Sequence, residues 1–326
     1  MFALVRRPLV VLGVATGLGI AGLATSQSLE GMGKPNLAAN WGSSSEKAIR
    51  PAAPNRTDLP WFQTLVDQAA PGSILKPPPG DYAGPVLVDK PLIIDGGGKV
   101  SIDGGGKGTV FVIDAKGATL RGVHLKGSGD SHDSDDACLN VRGDHHVIEG
   151  NVIDDCLFGI DLKQANHNVI RENRISSKPF ELGVRGDGLR LWYSNHNLIE
   201  KNEIIDSRDM VAWYANHNTY RGNIGKRSRY SIHFMFAKDS VVEGNSFYDN
   251  AVGVYLMYTE RVHLRNNIIS HATGATGMGL GFKESSDSDV ENNEIIYCAI
   301  GVGSDLSPFE PDTTIRFKNN RFAFNG

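Results

Sequence analysis

The sequence predicts an all-β chain wound as a right-handed parallel β-helix, a solenoid of roughly 22 residues per coil. Three observations predict it. An asparagine ahead of apolar residues recurs at Asn151, Asn173, Asn202, Asn223, Asn245, Asn267, Asn293 and Asn320, with spacings of 22, 29, 21, 22, 22, 26 and 27. From Ile74 onward the chain is short β-rich runs broken by Gly, Asp and Asn, and 38 glycines without a collagen period mark many turns. The Leu-x-x-Leu-x-Leu frame of a leucine-rich horseshoe is absent. Stacked along the axis, the recurring asparagines can hydrogen-bond as an amide ladder.

Residues 1–26 read as an export signal: Arg6 and Arg7 precede an apolar run from Leu9 to Leu23, then small residues Ala24, Thr25 and Ser26. The run is short for a membrane span, so cleavage near Ala24 or Ser26 is expected rather than anchoring. Pro8 directly after the arginines weakens a twin-arginine reading, and no second apolar stretch approaches spanning length. The expected location of the mature protein is the periplasm. Residues 27–58, rich in Gly, Ser, Asn and Pro, read as a flexible linker. Residues 58–70 read as a short amphipathic helix with Asp58 as N-cap and Pro60 in its first turn, placed to cover the open first coil of the 59–326 β-helix domain. A net charge of −4 and a pI near 6.2 argue against a nucleic-acid surface.

The asparagine register sorts every other position into columns. Thirteen before the ladder lie Cys138, Ile160, Leu189, Met210, Ile232, Val254 and Leu280, and two residues later Leu162, Leu191, Ala212, Phe234, Leu256 and Phe282. Both columns are apolar and two residues apart, so both face the core. Cys138 is then a small core residue. Cys156 and Cys298 sit at equivalent positions six coils apart, roughly 29 Å at ~4.8 Å per rung, too far to bridge. No structural disulfide is predicted.

The residues between must point outward. One outward column reads Lys163, Trp192, Trp213, Met235, Met257, Lys283, and the other Asp161, Arg190, Val211, His233, Tyr255, Gly281. A solvated face carries Thr, Lys and Glu; two tryptophans followed by two methionines make an apolar, polarizable stripe instead. Trp192, Trp213, Tyr255 and Tyr258 are the candidate partner-binding residues. Met235 and Met257 one rung apart, with His233 beside them, offer thioether and imidazole donors that suit copper(I). A covering loop with the methionines packed beneath it is the alternative. Extra residues at 126–136, 176–187 and 270–277 fall just before this strand, as insertions that decorate a working face do, whereas 305–313 fall after it.

A further column reads His145, His167, His196, His217, then Asp239, Arg261 and Asp287. Imidazoles one rung apart could clamp a metal ion or hydrogen-bond to neighbouring amides, and no Cys or carboxylate completes a tetrahedral set. Residues 127–137 gather Asp130, His132, Asp133, Asp135 and Asp136, an acidic loop that could hold calcium, supply carboxylates or simply be solvated.

Several segments resemble the NosD family: residues 84–98, Gly-Ser-Gly-Asp-Ser-His-Asp at 127–133, Arg-Gly-Asp-Gly-Leu-Arg-Leu-Trp at 185–192, Ser-Arg-Asp at 207–209, His-Phe-Met-Phe at 233–236, Tyr-Leu-Met-Tyr at 255–258 and Gly-Met-Gly-Leu at 277–280. The resemblance spans about residues 60–322. It implies a non-enzymatic periplasmic factor in nitrous oxide reductase maturation, working with an ABC transporter membrane subunit and a copper chaperone to build the copper centres of nitrous oxide reductase. It supplies no ligand set; the Met235, Met257 and His233 expectation rests on the columns alone. Family members run on for further coils, so a truncated or accessory paralogue and a homodimer through the open C-terminal edge are also expectations. No catalytic residue is assigned on this reading. Sugar-active enzymes share the pectin-lyase-like coil, and a lyase, hydrolase or epimerase is the alternative, with Asp161, Lys163, Asp187, Arg190 and Asp209 near one face. An adhesion solenoid is the third reading.

Overall fold

The computed structural model describes residues 48–54, 58–274 and 276–326. The export signal expected at 1–26 and most of the 27–58 linker lie outside them. No helix in the described part is long and apolar enough to cross a membrane.

The chain is a parallel β-helix. Its described strands form one twenty-stranded and one ten-stranded sheet, and each strand pairs in parallel with the equivalent strand of the next coil. The ten-stranded sheet runs from Val86–Val88 through Phe111–Asp114, Ala137–Arg142, Phe158–Lys163, Leu189–Trp192, Asp209–Trp213, Tyr230–Met235, Val252–Met257 and Met278–Lys283 to Ile300–Asp305. Inner positions alternate with outer ones, and the inner residues of both sheets merge into one core running from Phe62 to Cys298.

The asparagines form the expected ladder. Each side-chain amide donates to the carbonyl oxygen of the next asparagine, from Asn151 through Asn293 to Asn320, at 2.9–3.1 Å. That oxygen also accepts the preceding asparagine's backbone N–H, as at Asn173 and Asn202, 3.1 Å apart. These side chains are buried yet satisfied, which is what allows a polar column inside a solenoid. The residue before each asparagine has a left-handed backbone, including Glu172 (φ 56°) and Lys201 (φ 53°).

Two residues before the ladder runs a second register device. Asp95, Arg121, Glu149, Arg171, Glu200, Arg221, Glu243, Arg265, Glu291 and Lys318 stack rung on rung with strictly alternating charge. A slip of one coil would oppose like charges.

Three expectations are corrected. The helix spans only Gln63–Gln68, with Phe62 rather than Asp58 at its N-cap position, because Trp61 is drawn into a β-bridge with Ala83 and its indole donates to Pro85 O at 2.8 Å. It still covers the first coil: Phe62 and Val66 are buried, and the Gln63 side-chain oxygen accepts the Leu87 N–H at 2.6 Å. In the Ala137–Arg142 strand the core register is shifted by one. Leu139 and Val141 pair with Ile160 and Leu162, because the turn that follows is one residue shorter than in the next coil. Finally, Cys138 and Cys156 form a disulfide with their Cα atoms 5.5 Å apart, while Cys298 is free and buried. The bridge spans a corner within one coil, a relationship that comparison along the columns does not test.

Candidate functional site

The outer face of the ten-stranded sheet carries the columns as expected. Lys163 pairs with Trp192, Trp192 with Trp213, Trp213 with Met235, Met235 with Met257 and Met257 with Lys283. Beside it run Asp161, Arg190, Val211, His233, Tyr255 and Gly281. The two tryptophans, the two methionines and Tyr255 are each half-buried, so the stripe is neither core nor freely solvated. Trp192 and Trp213 meet edge to face, with ring centres 4.8 Å apart.

The next position along the chain adds a feature that column reading of the strand missed. Tyr193, Tyr214, Phe236 and Tyr258 all take left-handed backbone at the corner, and their rings stack nearly parallel at 4.6–4.9 Å. Tyr258 is thereby a member of an aromatic ladder rather than an isolated contact. The signal was present as an aromatic residue one place after each member of the Trp/Met column. Together the two columns make an apolar strip four coils long.

At the other margin of the strip lies a buried polar cluster. His233 is 8% exposed. Its ring packs on Tyr230 (centres 4.7 Å apart) and Tyr255 (5.8 Å), and its Nδ1 stands 3.6 Å from Asp209 Oδ2. The Nε2 atom is buried without a hydrogen-bond partner. Asp209 is clamped by Arg229, whose Nε donates to Oδ1 at 3.0 Å and whose Nη2 donates to Oδ2. Burial works to raise the Asp209 carboxyl, but His233 and Arg229 outweigh it and hold it below the usual range. In the preceding coil Asp187 accepts two bonds from Arg208 at 2.9 and 3.1 Å, yet burial and the neighbouring Asp209 charge push it upward. Asp161 accepts two bonds from Arg190 at 2.8 and 3.0 Å. Every buried carboxylate considered for sugar chemistry is thus held by a guanidinium at two points.

The acidic loop does not converge on a cation. Asp130 faces Lys178 (3.2 Å), Asp135 pairs with Lys163 (2.6 Å) and Arg190 (2.7 Å), and Asp136 caps Ser131 N–H at 3.0 Å. His132 contacts Val184 O at 3.0 Å, and Asp133 is exposed. Burial alone would raise the Asp135 carboxyl, but Lys163 and Arg190 bring it below its usual range. The loop's anions are divided among basic partners, and Asp130 and His132 reach the 176–187 insertion at Lys178 and Val184.

The histidine column is a face-to-face stack. His145, His167, His196 and His217 lie 5.3, 4.9 and 4.7 Å apart with ring planes within 11°. Parallel rings keep their nitrogen lone pairs parallel, whereas a chelated ion needs them to converge. Desolvation, then the neighbouring His217 and His167, hold His196 below the usual histidine range. Among the described residues no group of three or more His, Cys, Asp or Glu is arranged to hold a metal. Soft thioether donors fall outside that set; Met235 and Met257 pair across adjacent strands, and His233, whose buried Nε2 is unpartnered, lies two residues before Met235 on the same outward face.

Residues 176–326 match the family model described as periplasmic copper-binding protein (NosD), and residues 108–226 match that of the right handed beta helix region. A curated relative, the probable ABC transporter binding protein NosD of Pseudomonas aeruginosa, is 29% identical over 133 residues, covering 40% of this chain. The chain spans about a third of that relative's length, 31%. Among solved structures, the A-module of the Azotobacter vinelandii mannuronan C-5 epimerase AlgE4 superposes with a TM-score of 0.53 at 14% identity, over 80% of this chain and 90% of that one. PfbA, a surface adhesin of Streptococcus pneumoniae, superposes with a TM-score of 0.56 at 11% identity, over 80% and 86%. An epimerase and an adhesin on one coil show the fold alone.

Proposed function

We propose, from the match of residues 176–326 to the NosD family model, that the chain is a NosD-type non-enzymatic periplasmic scaffold for copper-centre assembly in nitrous oxide reductase. Its working face is the outer surface of the ten-stranded sheet, and copper(I) is its cargo. Its partners on this reading are an ABC transporter, a copper chaperone and the reductase.

The observation that carries the reading is the conjunction of His233, Met235 and Met257. The Asp209 carboxylate beside Nδ1 favours the tautomer protonated there, which leaves the Nε2 lone pair directed away from Asp209 and unpartnered. A carboxylate behind a histidine is the support that metal-ligating imidazoles use. Two thioethers on consecutive rungs supply soft donors, and soft, low-charge donors favour copper(I) over hard divalent ions. The donor set therefore fits the cargo. The apolar strip of Trp192, Trp213, Tyr193, Tyr214, Phe236 and Tyr258 alongside it gives a partner protein a surface to dock on. The two-point guanidinium pairs on Asp161 and Asp209 support the non-enzymatic reading, because a general acid or base must be free to exchange its proton.

The test is complementation. A strain lacking this gene should regain copper-loaded reductase with the wild-type chain and fail with a Met235→Ala, Met257→Ala double variant that accumulates normally. Full copper loading with the double variant would remove the methionines from the function.

A further inference from the structure

We infer that Trp213 forms an aromatic wall of the copper(I) site, its indole lying against the cation one rung before Met235. The inference rests on the metal site proposed above and adds a group whose role no sulfur or nitrogen donor can fill.

Trp213 is in register with Met235, and Met235 with Met257, so indole and both thioethers occupy three consecutive rungs of one outward column, ~4.8 Å per step. Val211 pairs with His233, which places the imidazole diagonally across from Trp213 on the same face. Trp192 packs against Trp213 at 76° from the side away from Met235, and Trp192 also contacts Tyr193 and Tyr214 edge-on. The Trp213 indole has its ring contact with Trp192. Its Nε1 is buried without an acceptor, although buried indole N–H groups ordinarily find one. A position that holds a tryptophan without using its hydrogen bond uses its ring.

The chemistry follows from charge and softness. A monovalent soft cation on two thioethers and one imidazole has no anionic ligand, so its charge is uncompensated within the site. The indole face is the most attractive of the aromatic surfaces for a cation. It also excludes water from the side that faces the earlier coils, where a water ligand would favour oxidation to the divalent ion.

The experiment is a titration of tryptophan emission with silver(I), a redox-inert stand-in, and with copper(I) under anaerobic reductant. The chain carries Trp41→Phe, Trp61→Phe and Trp192→Phe, which leaves Trp213 as the one emitting tryptophan. Emission should be quenched and saturate at one equivalent. Trp213→Leu should weaken affinity on the order of tenfold, and Trp213→Phe by less. Saturable binding that requires Met235 and Met257 but leaves emission unchanged, with equal affinity in Trp213→Leu, overturns the wall and leaves the thioether site standing. Failure of either ion to bind, or binding unaffected by the Met235→Ala, Met257→Ala pair, overturns the site and the wall together. The quench is read in a chain that retains Trp213, so misfolding of the leucine variant does not obscure the result.

Discussion

His233 Nδ1 stands 3.6 Å from Asp209 Oδ2, while Nε2 on the far side of the same ring has no partner. Arg229 in turn holds both oxygens of Asp209, so two side chains from two coils hold one imidazole with one nitrogen to spare. Replacing Asp209 with Asn should weaken copper(I) binding roughly tenfold or more, as loss of a carboxylate behind a ligating histidine does. Competition with a copper(I) chelator measures it. Equal affinity would detach Asp209 from the site.

The asparagine ladder makes a graded prediction. Asn223 accepts the backbone and side-chain N–H of Asn202 and donates to Asn245 and to Ile199 O. Asn223→Leu strands two buried donors and should cost about 3 kcal/mol or more. Asn320→Leu, at a part-buried rung, should cost less, about 1 kcal/mol. Urea denaturation of the two variants tests the gradient; equal losses would show that the ladder contributes no cooperativity.

The charge ladder predicts both salt and acid behaviour. Glu243 lies between Arg221 and Arg265, and the Arg221 hydrogen bond holds its carboxyl below the usual range against the opposing effect of burial. A carboxyl depressed in the folded state contributes stability above its ordinary value near 4.5, and that contribution is lost as pH falls through the lower folded value. Glu243→Gln should therefore flatten the acid side of the Tm–pH curve. Glu243→Lys should destabilise by about 1–2 kcal/mol, less at high salt. An unchanged acid limb in the glutamine variant would contradict the assignment.

The disulfide closes a short loop, with the two cysteines 18 apart in sequence. Cys138→Ser should lower stability by about 3 kcal/mol on the chain-entropy estimate. Alkylation of the folded protein should find no reactive thiol, because Cys298 is buried and desolvation raises its pKa. After unfolding without reductant, one thiol per chain should react; three would show the bridge is not formed.

Much of this was legible in the sequence because a solenoid turns distance along the axis into a fixed spacing. One aligned asparagine column placed Trp192, Trp213, Met235 and Met257 on the same outward line, as the pairing shows. The same alignment failed where a turn changed length, at Cys138, and could not see contacts across a corner, such as Cys138 to Cys156. The alternating charges from Asp95 to Lys318 and the aromatic ladder from Tyr193 to Tyr258 lie in other columns of the same register. The fate of the acidic loop was not legible at all. Whether Asp130 and Asp135 gather a cation or separate depends on Lys178, Lys163 and Arg190, which reach them from later coils.

The most direct measurement is X-ray absorption at the copper edge on the one-to-one copper(I) complex. The account predicts two sulfur neighbours and one imidazole nitrogen, with the sulfur shell lost in the Met235→Ala, Met257→Ala variant and the imidazole shell lost in His233→Ala. A coordination shell of nitrogen and oxygen alone, or one unchanged by the methionine pair, would contradict it.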